Sequence, residues 1–170
     1  MKFKLRPYQE EASKKAVEFF LDKKKNWNAL EVLPTASGKS LILADIAARL
    51  KDKVLVFSPT KEILEQNYKK YCSYGFDNAS IYSASFKSKE ISDVTFATIG
   101  SVKGHPELFT DFKYILIDEV HLVKPESGMY KEFLDKLKRK VIRLTATPFR
   151  LYSYEHYGSI LMCLTRTRYK

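Results

Sequence analysis

The chain has 170 residues, 45% of them apolar, enough for one domain with a packed core. Thirty Lys and Arg against twenty Asp and Glu leave a net charge of +10, which suits a polyanionic partner as well as it suits a lysine-rich solvated surface. Cys72 and Cys163 lie far apart with no C-x-x-C, and the polar N-terminus has no apolar leader, so a disulfide framework, a cysteine zinc site, a signal peptide and a membrane span are excluded as expectations and a reducing cytoplasmic setting fits.

In chain order, a helix is expected over Tyr8–Leu21, where Ala12, Ala16, Phe19 and Phe20 recur at helical spacing. An apolar run "ALEVL" (29–33) then reads as a strand and leads into "PTASGKS" (34–40) and a helix from Lys39 to Leu50. "VLVF" (54–57) is followed by "SPTKE" and a helix over Lys61–Tyr74. "DVTFA" (93–97) precedes "TIGS", "YILI" (114–117) precedes "DEVH", and a helix near Met129–Lys138 leads to "VIRLT" (141–145), which runs into "TATP". Continuous apolar strands alternating with helices predict an α/β fold, an open parallel sheet flanked by helices. Ligands of such sheets bind at the carboxyl ends of the strands, where the five polar motifs fall. Beyond Arg150, Tyr154, Tyr157, Ile160, Leu161 and Leu164 share a helical face, so residues 151–170 are expected to form a helical tail with a basic end at Arg166, Arg168 and Lys170.

Gly-Lys-Ser between a strand and a helix aims backbone N–H groups and a helix dipole at phosphate. Gly38 permits close approach, Lys39 can reach the β- and γ-phosphates, and the Ser40 hydroxyl can bind Mg²⁺. Leu33 and Ala36 stand where such loops usually carry glycine, and a left-handed Ala36 would cost about 1–2 kcal/mol. Asp118 and Glu119 supply the second half of an ATP site: Asp118 for Mg²⁺, Glu119 for the attacking water. No N-K-x-D appears, which disfavours a GTPase.

The ordered set "LRPYQ" (5–9), "PTASGKS" (34–40), "SPTKEILEQ" (58–66), "TIGS" (98–101), "DEVH" (118–121) and "TATPFR" (145–150) resembles the superfamily 2 helicases and translocases of the DEAD/DEAH-box type. The likeness is strongest to the branch of restriction-enzyme motor subunits, repair and recombination helicases and phage helicases. The resemblance implies a RecA-like P-loop lobe over residues 1–150, with ATP and Mg²⁺ as cofactors and DNA, in preference to RNA, as partner. It implies that Gln9 reads adenine and that Phe3 or Arg6 stacks on the base. Pro34, Thr35, Ala36, Ser37, Gly38, Lys39 and Ser40 would form the phosphate loop. Lys39, Asp118, Glu119 and His121 would act in catalysis, Ser40 and Asp118 on the metal. Pro59, Thr60, Thr98, Gly100 and Ser101 would meet the sugar-phosphate backbone, and Thr145 and Thr147 would couple the two sites. The family's motor has a second lobe carrying an arginine finger. About twenty residues after "TATPFR" are too few for it, so a lobe that works with a second one in cis or trans is expected, slow and unable to unwind alone. A non-catalytic nucleic-acid-binding module and an RNA helicase lobe are the alternatives.

Overall fold

A computed structural model describes residues 4–25, 28–119, 128–146 and 162–166, the last stretch by its backbone. Helix α1 (Pro7–Leu21) starts with proline at its first turn, where a missing N–H costs nothing. Strands β1 (Ala29–Val32), β2 (Val54–Phe57), β3 (Ala79–Ser83), β4 (Ser88–Lys89), β5 (Val94–Ala97), β6 (Tyr114–Ile117), β7 (Lys140–Thr145) and β8 (Met162–Arg166) form one sheet in the order β4-β3-β5-β2-β6-β7-β1-β8. Every pairing is parallel except β3 with β4. Helices α2 (Lys39–Leu50), α3 (Lys61–Ser73), α4 (Ile99–Val102) and α5 (Gly128–Leu137) connect the strands.

The continuous apolar runs have a direct explanation. Val54 and Val56 enter one core with Leu116, Ile142, Leu144 and residues of α1, α2 and α3. Leu55 and Phe57, one residue out of phase, enter a second core with Ile115, Ile117, Val141 and residues of α5. Strand side chains alternate between faces, so burial on both faces removes the polar half of the pattern. Phe57 meets Tyr130 and Phe133 edge-on at 5.4 and 5.6 Å, which anchors α5 beneath the second strand.

The five strands and four longer helices expected from the sequence are all present. Three strands were not anticipated. β3 and β4 sit at one edge of the sheet, and β8 pairs with β1 at the other. Residues 162–164 are therefore extended, not helical, and the expected helical face ending at Leu164 does not hold there. The rest of that expected helix, Tyr154 to Leu161, lies outside the described residues. Among the described residues no helix is long and apolar enough to cross a membrane.

Candidate active site

Because β1, β2, β5, β6 and β7 run parallel, the segments after them emerge along one edge of the sheet. The phosphate loop leaves β1 there, pinned by the Leu33 N–H donating to the Thr145 carbonyl at 2.9 Å. Ser37 N–H closes a turn on the Pro34 carbonyl at 3.1 Å, and α2 begins with the Leu41 and Ile42 N–H groups on the Gly38 carbonyl. The first N–H groups of α2 have no intrahelical acceptor and remain for an anion.

Two residues of the loop are left-handed, Ala36 at φ 63° and Gly38 at φ 78°. Gly38 is required twice over: a Cβ there would stand 2.5 Å from Gln9 Nε2. Ala36 has no such excuse and carries the cost anticipated from the sequence. Ala36→Gly is accordingly expected to stabilise the free protein by about 1 kcal/mol, the left-handed penalty less the entropy of a glycine. Thermal unfolding should read this as a rise of about 2–4 °C; an unchanged or lower midpoint would mean that the loop holds Ala36 without strain.

Gln9 is buried and is spent on the loop. Its Nε2 donates to the Ser37 carbonyl at 2.8 Å and its Oε1 accepts from the Arg6 N–H at 2.9 Å, while the Tyr8 hydroxyl donates to the same Ser37 carbonyl at 3.0 Å. The residue expected to read adenine thus also braces the loop from behind. Each end of a carboxamide has capacity for a second bond, so the two roles are compatible. Neither Gln9 nor Arg6 lines the cleft described next.

A cavity of about 610 Å³ opens over the loop, lined by Thr35 through Leu41, by Asp118 and Glu119, and by one face of α3. Lys39 Nζ is paired with Glu119 Oε1 across it, and these side chains are 13% and 18% exposed. Asp118 is 3% exposed. Its Oδ1 accepts from the Glu119 N–H at 2.9 Å, and its Oδ2 accepts from Asn67 Nδ2 at 2.7 Å. Burial pushes the Asp118 carboxyl above its ordinary value, reinforced by the Glu119 charge and opposed by the Asn67 hydrogen bond and Lys39. The turn that presents the pair is itself unusual, with Glu119 at φ 48°.

These residues fit Mg²⁺. The donor set is a buried carboxyl group, Asp118, with Ser40 lining the same cleft. No cluster of three or more acidic, His or Cys side chains occurs among the described residues. One carboxylate and one hydroxyl suit an ion that keeps water and completes its shell with substrate phosphates.

The α3 contribution was missed in the sequence. Ile63, Gln66, Asn67, Lys70 and Tyr74 recur at helical spacing and line the cleft opposite the loop. The resemblance assigns the start of this segment, "SPTKEILEQ", to the sugar-phosphate backbone, and helical spacing alone does not show that the helix faces the loop. His121, Thr147 and Phe3 lie outside the described residues. Thr145 is buried, and the structure joins it to the loop through its carbonyl.

A second surface is built on the same sheet edge. Thr60, after Pro59, caps α3 by accepting the Ile63 N–H at 3.3 Å. The Thr98 and Ser101 hydroxyls lie 2.9 Å apart, and Ser101 Oγ accepts the Ala84 N–H at 3.0 Å. Lys61 sits over the Phe86 ring at 5.0 Å. The α3 start, the turn at 84–87 and Gly100–Ser101 are therefore contiguous, with Thr60, Lys61, Lys87 and Gly100 exposed.

The same fold occurs in known proteins. The family described as Type III restriction enzyme, res subunit, matches residues 2–150. The chain belongs to this family. The chain is 30% identical over 152 residues to the DNA 3'-5' translocase XPB2 of Sulfurisphaera tokodaii, covering 88% of this chain and 32% of that protein. The chain thus spans about a third of that relative. The UvsW helicase of bacteriophage T4 superposes with a TM-score of 0.65 at 24% identity over 88% of this chain and 57% of that one. A nuclease-deletion mutant of the Type ISP restriction-modification enzyme LlaGI, in complex with a DNA substrate mimic, gives 0.72 at 18% identity over 98% and 20%. The Sulfolobus solfataricus SWI2/SNF2 ATPase core in complex with dsDNA gives 0.67 at 22% over 93% and 35%. This res-subunit family member has the fold of the N-terminal RecA-like lobe of superfamily 2 helicases and translocases.

Proposed function

We propose that the chain is the ATP-binding lobe of a DNA helicase or translocase and that its cleft binds and hydrolyses Mg²⁺·ATP. The observation that carries this is the meeting of Lys39 with Glu119, beside Asp118, in one cleft over a helix N-terminus. Lys39 and the first N–H groups of α2 hold the β- and γ-phosphates. Ser40 and Asp118 hold Mg²⁺, which when bound neutralises phosphate charge. As phosphate draws Lys39 away, the Glu119 carboxylate is released to take a proton from water as the water oxygen bonds to the γ-phosphorus. The bond from that phosphorus to the bridging oxygen breaks, and the electron pair leaves with ADP. Gln9 reads adenine with its remaining donor and acceptor, alongside Arg6. A second lobe supplies the cationic finger that this cleft needs for fast turnover.

DNA as the track is supported by the DNA named for three of the relatives and by the +10 charge. The surface formed by Thr60, Lys61, Lys87, Gly100 and Ser101 would position phosphates without reading bases. Binding to a duplex oligonucleotide should therefore weaken steeply with salt. Lys61→Glu with Lys87→Glu should weaken it further and shallow the slope of log K against log salt by about 0.9 for each phosphate that is no longer neutralised. Fluorescence anisotropy across a salt series reads both quantities. An unchanged slope in the double variant would move the DNA elsewhere, and binding indifferent to ATP would favour a non-catalytic module.

A further inference from the structure

We infer that Asn67 is a positioning residue of the metal site: it fixes the Asp118 carboxylate and offers its own carbonyl oxygen to water in the Mg²⁺ shell. This rests on the reading of the cleft as a Mg²⁺·ATP site. Asn67 is 1% exposed, sits on α3 and lines the cleft. Its Nδ2 donates to Asp118 Oδ2 at 2.7 Å and lies 3.2 Å from Ser58 Oγ. Both amide hydrogens are accounted for by these acceptors. The orientation of the amide is thereby set, since a flipped amide would bring its carbonyl against a carboxylate.

The opposite end of the amide is left over. Asn67 Oδ1 is buried and has no hydrogen-bond partner among the described residues. A buried acceptor without a donor is costly and is found where a ligand or water completes it. The donor that the site lacks is a water, and Mg²⁺ held through a single carboxylate and phosphates retains several. Outer-shell partners of this kind orient the first-shell carboxylate and tune metal affinity. Asn67 also lies seven residues beyond Thr60, two turns along α3, so one rigid helix joins the metal's carboxylate to the surface proposed for DNA.

The test is a MgCl₂ titration of the binding of a fluorescent, non-hydrolysable ATP analogue to the full chain, with parallel titrations in EDTA. Asn67→Leu, near in size but unable to donate or accept, should raise the Mg²⁺ concentration for half-maximal enhancement about 10- to 100-fold. Its affinity in EDTA should match that of the unaltered chain. Asn67→Gln keeps both the donor and the acceptor and should recover most of the Mg²⁺ response, and it serves as the deciding variant if the leucine form does not fold. An unshifted Mg²⁺ dependence in Asn67→Leu, or equal losses with and without Mg²⁺, would overturn the inference. If Asn67→Leu does not fold, an Asn67→Gln response weakened 10-fold or more would do the same. An unaltered chain that binds the analogue with no Mg²⁺ enhancement would overturn the cleft assignment itself, and the role of Asn67 with it.

Discussion

Glu119→Gln is expected to leave nucleotide binding intact while hydrolysis falls about 10²- to 10⁴-fold. Glutamine keeps the shape of glutamate and cannot take a proton. The Glu119 carboxylate neutralises Lys39 across the cleft, which holds the loop's cation away from solvent. Removing the carboxylate's charge takes one negative group out of an anion site and frees Lys39, so affinity for ATP should be equal or tighter. Single-turnover hydrolysis with protein in excess, beside fluorescence binding, separates the two effects even where the lobe alone is slow. Turnover within a few-fold of the unaltered chain would remove Glu119 from the reaction. Loss of binding would mean that its contribution is structural.

Lys39→Ala has the second large effect. A charge-assisted hydrogen bond to phosphate contributes about 1.5–3 kcal/mol, so affinity for ATP should fall roughly 10- to 150-fold. The variant also strips Glu119 of its cation at a site less than one-fifth exposed, which adds repulsion toward phosphate and destabilises the free protein. The double variant Lys39→Ala with Glu119→Gln distinguishes these contributions. Its melting temperature should recover toward that of the unaltered chain, because no partly buried carboxylate is left without its cation, while ATP affinity stays low. Calorimetric unfolding and nucleotide titration of the three variants check this; recovery of affinity in the double variant would show that repulsion by Glu119, not loss of the lysine, was the cause.

Much of this is legible in the sequence. The strands that carry the motifs are buried on both faces, so their apolar runs stand out, and parallel pairing then forces the polar segments after them to one edge. What was hidden has physical reasons. β3, "ASIYS", alternates between half-buried and buried positions at the sheet margin and lacks an apolar run. β4 is two residues long and exists through its pairing with β3. β8 depends on β1, more than a hundred residues away, and its local pattern imitates a helix face. Gln9 looked like a base-reading residue, and nothing in "LRPYQ" announces that its amide also bonds to Ser37. Asn67 was invisible as a site residue because its partner, Asp118, is fifty-one positions distant.

The central claim is that the Gly-Lys-Ser loop and the Asp-Glu turn serve one triphosphate. Isothermal titration of the chain with a non-hydrolysable ATP analogue and Mg²⁺ should find a single site, weakened by Lys39→Ala and stripped of its Mg²⁺ dependence by Asp118→Asn. Absence of binding heat and of competition with a fluorescent nucleotide would contradict it, and so would binding indifferent to either substitution.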